Sequence, residues 1–293
     1  MIAYLILVHR YPQQFRRLFK VIYDPRNKYL VHVDKRSGAW LEADIRAFLD
    51  PYINAEVLEA KKMLWGGYSL VDAALRGMKR LLQTDSQWTH FINLSGQDFP
   101  LRTQRQIMAH LQANTGREFI RAVDQQRFRP DTMARVGKYV LELGGRIIHT
   151  PISRRFLAGA IPFIGTQWMI VSRKFCQFVC HNQRAARYKT FYRNTFIADE
   201  GFFQTVMMNT APHGEIVNDD LRMIDWIPDG DIKLRPRTYV AGDAGALISS
   251  GNLFARKFDQ TVDGDILDLL ESHLFTQDVA YMDAPVVEIA DVA

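Results

Sequence analysis

The first hundred residues alternate between two periods, and that alternation limits what the chain can fold into. Ala3 to Val8 and Tyr29 to Val33 are strand-like apolar runs, Ala55 to Leu58 is a shorter one, and THFINLSG, residues 89–96, is a fourth. The segments between them have helical spacing. Pro12 opens PQQFRRLFKVIY as a residue suited to a first helical turn. AWLEADIRAFL puts Trp40, Ile45, Phe48 and Leu49 on one face, and SLVDAALRGMKRLL offers Ser69 as an N-cap with Asp72 three residues on. Strand–helix alternation of this length predicts an α/β fold with a parallel, doubly wound sheet, which binds ligands where its strands end. Those ends carry His9, Asp34 and SGQDFP, Ser95 to Pro100.

The chemistry open to such a sheet is narrowed by what is missing. No Gly-x-Gly-x-x-Gly follows the first strand, so the dinucleotide fingerprint is absent, although Asp34 after the second strand would suit an NAD-dependent oxidoreductase. No P-loop motif is present either. With 293 residues and 47% hydrophobic content, the chain can bury the core of one large α/β domain or two small ones. A net charge of +5 and a pI of about 9.2 fit an anionic ligand or membrane surface. They do not call for nucleic acid, because no dense Lys/Arg tract, zinc finger or RNA-recognition signature occurs. Cys176 and Cys180 lack partners at zinc-site spacing and read as buried thiols in a reducing compartment. MIAYLILVHRYP reads as a buried strand rather than a signal peptide, and no apolar run of about 18 residues suggests a transmembrane helix.

The second half is less regular. RRFLAGAIPFIG sets Arg154 and Arg155 beside an apolar stretch, either a helix packed on the core or a membrane-surface patch. TQWMIV reads as a strand and SRKFCQFVCHN as a helix. In IADEGFFQTVMMNT, Phe202, Phe203, Val206 and Met207 recur with helical spacing, so a helix is expected to begin near Asp199. An acid in a first turn caps free N–H groups, which accounts for Asp199. Glu200 is left over, and a second carboxylate at a helix start can project into a cleft as a general base. Downstream, Arg235, Arg237, Arg256 and Lys257 form either a solvated basic face or a diphosphate clamp. Sheet, carboxylate and clamp together point to transfer from a nucleotide-activated donor. Asp229 and Asp231 in PDGD have metal-site spacing, but the stretch is read as a turn.

Taken in series, HVDKRS, WGGYS, LSGQDFPL, GTQWMIVSRKF, ADEGFFQTV, LRMIDW and LFARKFD resemble glycosyltransferase family 14 over roughly residues 3–260. That family holds the core-2/I-branching β-1,6-N-acetylglucosaminyltransferases and the peptide O-xylosyltransferases. The resemblance implies one GT-A type domain over residues 1–293, with a Rossmann-like mixed sheet flanked by helices. Its parts would be a nucleotide-binding half (1–110), an acceptor and catalytic half (111–270) and a tail (271–293). It implies inverting, metal-independent transfer of N-acetylglucosamine or xylose from a UDP-sugar to a glycan hydroxyl, with no cofactor and no metal. Glu200 falls on the family's base, and Arg237, Lys257 and Arg256 on its diphosphate clamp. Val8, His9, Arg10, Asp34, Trp65 and Tyr68 fall on the nucleotide side. Asp98, Trp168, Asp199, Asp225 and Trp226 fall on the sugar and acceptor side.

Animal members are anchored Golgi proteins with several disulfides, whereas this chain resembles the short bacterial members. A cytoplasmic enzyme is therefore expected, acting on a lipid-linked or surface-polysaccharide precursor. Peripheral contact with an anionic inner membrane face is expected through RRFLAGAIPF. A catalytically inactive sugar-binding relative is the other reading, and the presence of both Glu200 and the Arg237/Lys257 clamp weighs against it.

Overall fold

The alternation resolves into a seven-stranded mixed sheet with helices on both faces, in a computed structural model that describes residues 1–84, 87–210, 212–229 and 233–282. Strand β1 (Ile2–Val8) leads into α1 (Pro12–Ile22), β2 (Lys28–Val33), α2 (Ala39–Leu49), β3 (Ala55–Val57), α3 (Ser69–Leu82) and β4 (His90–Ser95). β1 pairs in parallel with β2 and with β4, and β2 pairs in parallel with β3. The chain thus builds outward on one side of β1 and then crosses to the other. The resulting switch point lies between β1 and β4, where such sheets open a crevice at the carboxyl ends of their strands.

The rest of the chain completes this sheet and adds a second. After β5 (Asp98–Pro100) come α4 (Gln104–Ala113), β6 (Arg117–Ile120), β7 (Val123–Asp124) and the short helices α5 (Gln125–Phe128) and α6 (Ala134–Gly137). A hairpin of β8 (Lys138–Leu143) and β9 (Arg146–Ser153) precedes β10 (Phe163–Ile164) and β11 (Met169–Ser172). Helices α7 (Arg173–His181), α8 (Gln183–Tyr192) and α9 (Phe202–Asn209) follow, then β12 (Glu215–Val217), β13 (Arg222–Ile224), β14 (Trp226–Asp229) and β15 (Lys233–Pro236). Last are α10 (Ala244–Ser249), β16 (Phe254–Arg256) and α11 (Asp265–Met282). The main sheet runs β3-β2-β1-β4-β11-β6-β12, with β11 antiparallel to both neighbours. A smaller sheet, β13-β16-β5, sits beside the switch point.

Alternation along β1 builds both core layers. Tyr4, Ile6 and Val8 pack with α1, α2, α4 and α11, while Ala3, Leu5 and Leu7 pack with α3, α7 and α9. Gly77 allows α3 to approach β1, because a Cβ there would come within 2.9 Å of the Leu5 side chain. Phe19 is fully buried in a ring cluster with Phe15, Tyr23, Tyr29, Phe48 and Tyr52. The two expected halves share the one central sheet, and the expected boundary at residue 271 falls within α11, whose Leu270 and Leu274 are buried.

Four local expectations differ from the structure. Ser69 does not cap α3: its hydroxyl accepts the Leu64 N–H, and its own N–H donates to Glu142 of the hairpin at 3.0 Å. Trp40 is exposed, and Leu41, Ile45 and Leu49 form the buried face of α2. RRFLAGAIPFIG is not helical. Arg154 donates to the carbonyls of Val136 and Phe191 and to Thr195, and Phe156, Leu157 and Ala160 pack on the core, while Arg155 and Ile161 stay exposed. Helix α9 starts at Phe202, one turn after Asp199, because Gly201 takes the cap position. Among the described residues no helix is long and apolar enough to cross a membrane.

Phe19 is the test of the packing on the α1 side. Phe19→Ala is expected to cost about 3–5 kcal/mol of stability, the range for truncating a buried aromatic, read as a lowered urea midpoint with an unchanged slope.

Candidate active site

A cleft of about 370 Å³ opens at the switch point. Of the residues singled out in the sequence, His9, Arg10, Asp34, Trp65, Trp168, Arg256 and Lys257 line it together. Ser95 and Gln97 of SGQDFP line it too, and so do Leu7, Arg36, Met63, Gln167 and Pro236, which were not singled out individually. His9 follows β1 directly. Burial, then the charges of Arg10 and Arg256, push its imidazole down to about 4, so it is neutral at pH 7. Asp34 ends β2. Burial opposes its ionisation, but hydrogen bonds from the Arg36 side chain and from the Arg36 and Met63 N–H groups hold its carboxyl below the usual range. Val8 is buried beneath the cleft, and its carbonyl accepts the Asp34 N–H at 2.8 Å.

The basic side of the cleft is organised from below. Asp98 has no exposure and stands opposite Arg256 in the β5–β16 register. Its carboxylate accepts from Arg256 at 2.9 Å and from the Ser95 N–H at 2.9 Å, and it lies 3.9 Å from the Arg222 guanidinium. Trp168 is buried between these two arginines, whose guanidinium carbons lie 4.5 Å (Arg222) and 5.0 Å (Arg256) from its ring centroids. Asp98, expected on the sugar side, is thus buried and holds Arg256 from beneath the cleft. Burial drives the Arg222 guanidinium down, countered by Asp98 and Asp220. LRMIDW contained Arg222, but nothing in its spacing told that it would be buried.

Lys257 follows Arg256 into the cleft. Its ammonium forms no ion pair or hydrogen bond among the described residues, and burial, then Arg10 and Arg256, push its pKa down. Arg237, expected beside it, is engaged elsewhere. It makes two hydrogen bonds to Asp243, at 2.8 and 3.0 Å, and one to Asp225 at 2.8 Å, and these carboxylates raise its pKa. Asp225 is thus an arginine partner in this structure, and neither residue lines the cleft. Trp226 is 44% exposed and pairs in register with Pro236, which does line it. Tyr68 faces a separate cavity.

Asp199 and Glu200 occupy a single 3-10 turn, Ala198–Glu200, and neither caps a helix with its side chain. Asp199 is buried with its Oδ1 unpartnered. Burial, then the charge of Glu200, raise its pKa. Glu200 is part-exposed, and its Oε2 accepts from Arg135 at 2.7 Å. The turn is tethered at both ends to loops that line the cleft. Ile197 N–H donates to the Gly66 carbonyl, beside Trp65, and Gly165 N–H donates to the Glu200 carbonyl, three residues before Trp168. Only glycine fits at Gly165, because a Cβ there would overlap the Arg121 carbonyl. Glu200 itself is beside the cleft rather than among its lining residues. Arg135 lies 65 residues earlier in the chain, and no sequence signal linked the two. Asp229 is exposed and lies 3.8 Å from Arg235, while Asp231 lies outside the described residues. Among the described residues no three of His, Cys, Asp or Glu cluster as a metal site.

The family model described as Core-2/I-branching enzyme matches residues 2–247. Xylosyltransferase 2 of Rattus norvegicus is 31% identical over 301 residues, covering 94% of this chain and 34% of that protein. Xylosyltransferase 1 of the same organism is 30% identical over 292 residues, covering 94% and 35%. The chain thus spans about a third of the length of these relatives. The solved 4-diphosphocytidyl-2C-methyl-D-erythritol synthase of Anaerococcus prevotii DSM 20548 overlaps with a TM-score of 0.38 at 10% identity, over 74% of this chain and 86% of that one, which is too slight to argue from.

Asp98→Ala would leave Arg222 buried without its nearest counter-charge. It is expected to cost about 3–5 kcal/mol, as for other broken buried pairs, measured by urea unfolding.

Proposed function

The chain belongs to glycosyltransferase family 14, the Core-2/I-branching enzymes, and from that premise we propose that it moves a sugar from a UDP-sugar to a hydroxyl of a glycan or glycoconjugate, by inverting, metal-independent displacement. The observation that carries this reading is the crowding of Arg10, Arg256 and Lys257 in the switch-point cleft, with Lys257 unpaired among the described residues. Mutual repulsion of part-buried cations is relieved by an anion, and a leaving diphosphate supplies one. The uridine would lie on the His9, Asp34 and Trp65 side of the cleft. The relatives are named for xylosyl transfer. Xylose and N-acetylglucosamine are therefore the donor sugars proposed.

Inversion needs one in-line displacement. The acceptor oxygen loses its proton to a base on one side while the diphosphate leaves on the other. Glu200 is the proposed base. Its turn is fixed by the Gly66 and Gly165 backbone bonds, and Arg135 orients its carboxylate. Asp199, buried behind it with a raised pKa, is proposed to pack the turn rather than to meet the acceptor. Arg256 and Lys257 take the charge that develops on the leaving diphosphate, the work a metal does in other enzymes. No cofactor is needed for this chemistry.

Screening UDP-sugars for donor consumption tests the reading directly. Glu200→Gln should bind UDP as the wild type does, while its turnover falls by about 10²–10⁴-fold, the range for general bases. Near-normal turnover would remove Glu200 from that role. Lys257→Ala should raise the UDP Kd by about tenfold or more, the loss of one charge-assisted bond, and wild-type turnover should survive EDTA.

A further inference from the structure

The β8–β9 hairpin stands outside the central sheet. One face is fixed to the molecule: Val140 is buried and exchanges backbone and side-chain bonds with Asn194, Glu142 accepts the Ser69 N–H at the start of α3, and the His149 ring lies 4.7 Å from that of Phe196. The other face is apolar and open. Leu141 pairs with Ile148 and Leu143 with Arg146 across the hairpin, and Leu143 is 66% and Ile152 58% exposed, with Tyr139 and Ile148 beside them. An antiparallel ribbon held rigidly on one side and showing apolar side chains on the other is a surface with a use for them.

Charge decides what that use is. A cavity of about 550 Å³ opens against the same hairpin, with Leu141 and Leu143 in its wall and Lys61, Lys62 and Arg193 around it. The two acids in its lining are occupied, Asp72 by Arg76 at 2.9 Å and Glu142 by the Ser69 N–H at 3.0 Å. Arg146 stands opposite Leu143 on the open face, and among the described residues none of these four cations has an acidic partner. Apolar side chains bordered by unpaired cations match the boundary of an anionic bilayer, where the first enter the interface and the second meet phosphates.

We propose that the β8–β9 hairpin docks the protein on an anionic membrane surface, with the Lys61, Lys62 and Arg193 cavity taking a lipid phosphate. This surface is distinct from the one expected at Arg154 and Arg155, where Arg154 is engaged by backbone carbonyls and Phe156, Leu157 and Ala160 pack on the core. It does not depend on the glycosyl-transfer reading.

The test is co-sedimentation of the full chain with phosphatidylcholine vesicles, with and without phosphatidylglycerol, at low salt. The anionic vesicles should capture the wild type about tenfold more than neutral ones, and added salt should weaken the capture. Leu143→Glu with Ile148→Glu should abolish capture. Lys61→Glu with Lys62→Glu, which leaves the apolar face intact, should reduce it to the neutral-vesicle level. All three proteins should melt at one temperature, since the altered side chains are exposed. Equal capture of wild type and variants overturns the proposal, as does wild type that stays in the supernatant. A dimer in solution that the leucine–isoleucine variant dissolves, without any vesicle capture, assigns the face to a second copy and also overturns it.

Discussion

A carboxylate with no solvent exposure holds the cleft together. Asp98 lies one tight turn after β4, opposite Arg256 in register and near Arg222. Removing one anion and two cations from water costs several kcal/mol per ion, and it is offset only where geometry and hydrogen bonds are good. Here the Ser95 N–H supplies a further bond to the acid, and the Trp168 ring lies within reach of both guanidiniums. The cluster joins β4, β5, β13 and β16, so it docks the smaller sheet against the switch point of the larger one. Arg256 is fixed by that pairing, and Lys257 is carried into the cleft as the next residue.

The cations of the second half divide by partner rather than by position in the chain. Arg237 and Arg256 both looked like ligands for a diphosphate, yet Arg237 sits between Asp225 and Asp243. Arg256 keeps one face toward the cleft while Asp98 holds it from behind. Lys257 is left beside Arg10 and Arg256, and burial first, then their charges, lower its pKa. A ligand anion would restore the balance without moving the arginines. On the opposite flank, the Glu200 turn is bound to two cleft-lining loops by backbone bonds, so its placement does not depend on its own side chain.

Local signals carried much of this into the sequence, and long-range ones did not. The strands at Ala3 to Val8 and Tyr29 to Val33 and the helix from Pro12 announce themselves by period and by proline chemistry, and their ends put His9 and Asp34 in the cleft. Ser69 misled because a serine before an apolar helix is a common cap, while the partner that meets the helix start, Glu142, comes from a hairpin 73 residues on. Arg154 looked like surface charge because carbonyls of Val136 and Phe191 cannot be foreseen as its acceptors. Arg135 and Arg222 were illegible for the same reason. An arginine buried by tertiary pairing has the same local sequence as a solvated one.

The segment from Lys61 to Tyr68 lines both the cleft and the cavity beside the hairpin, so the proposed membrane contact would lie near the proposed transfer site. The proposed transfer requires that the cleft take a diphosphate. Calorimetric titration of the wild type with UDP, uridine and NAD, all in EDTA, tests that requirement. UDP should bind, uridine should bind at least about tenfold more weakly, as expected on losing charge-assisted bonds, and NAD should give no heat. Uridine binding as tightly as UDP, UDP binding that vanishes in EDTA, or binding of NAD alone would contradict it.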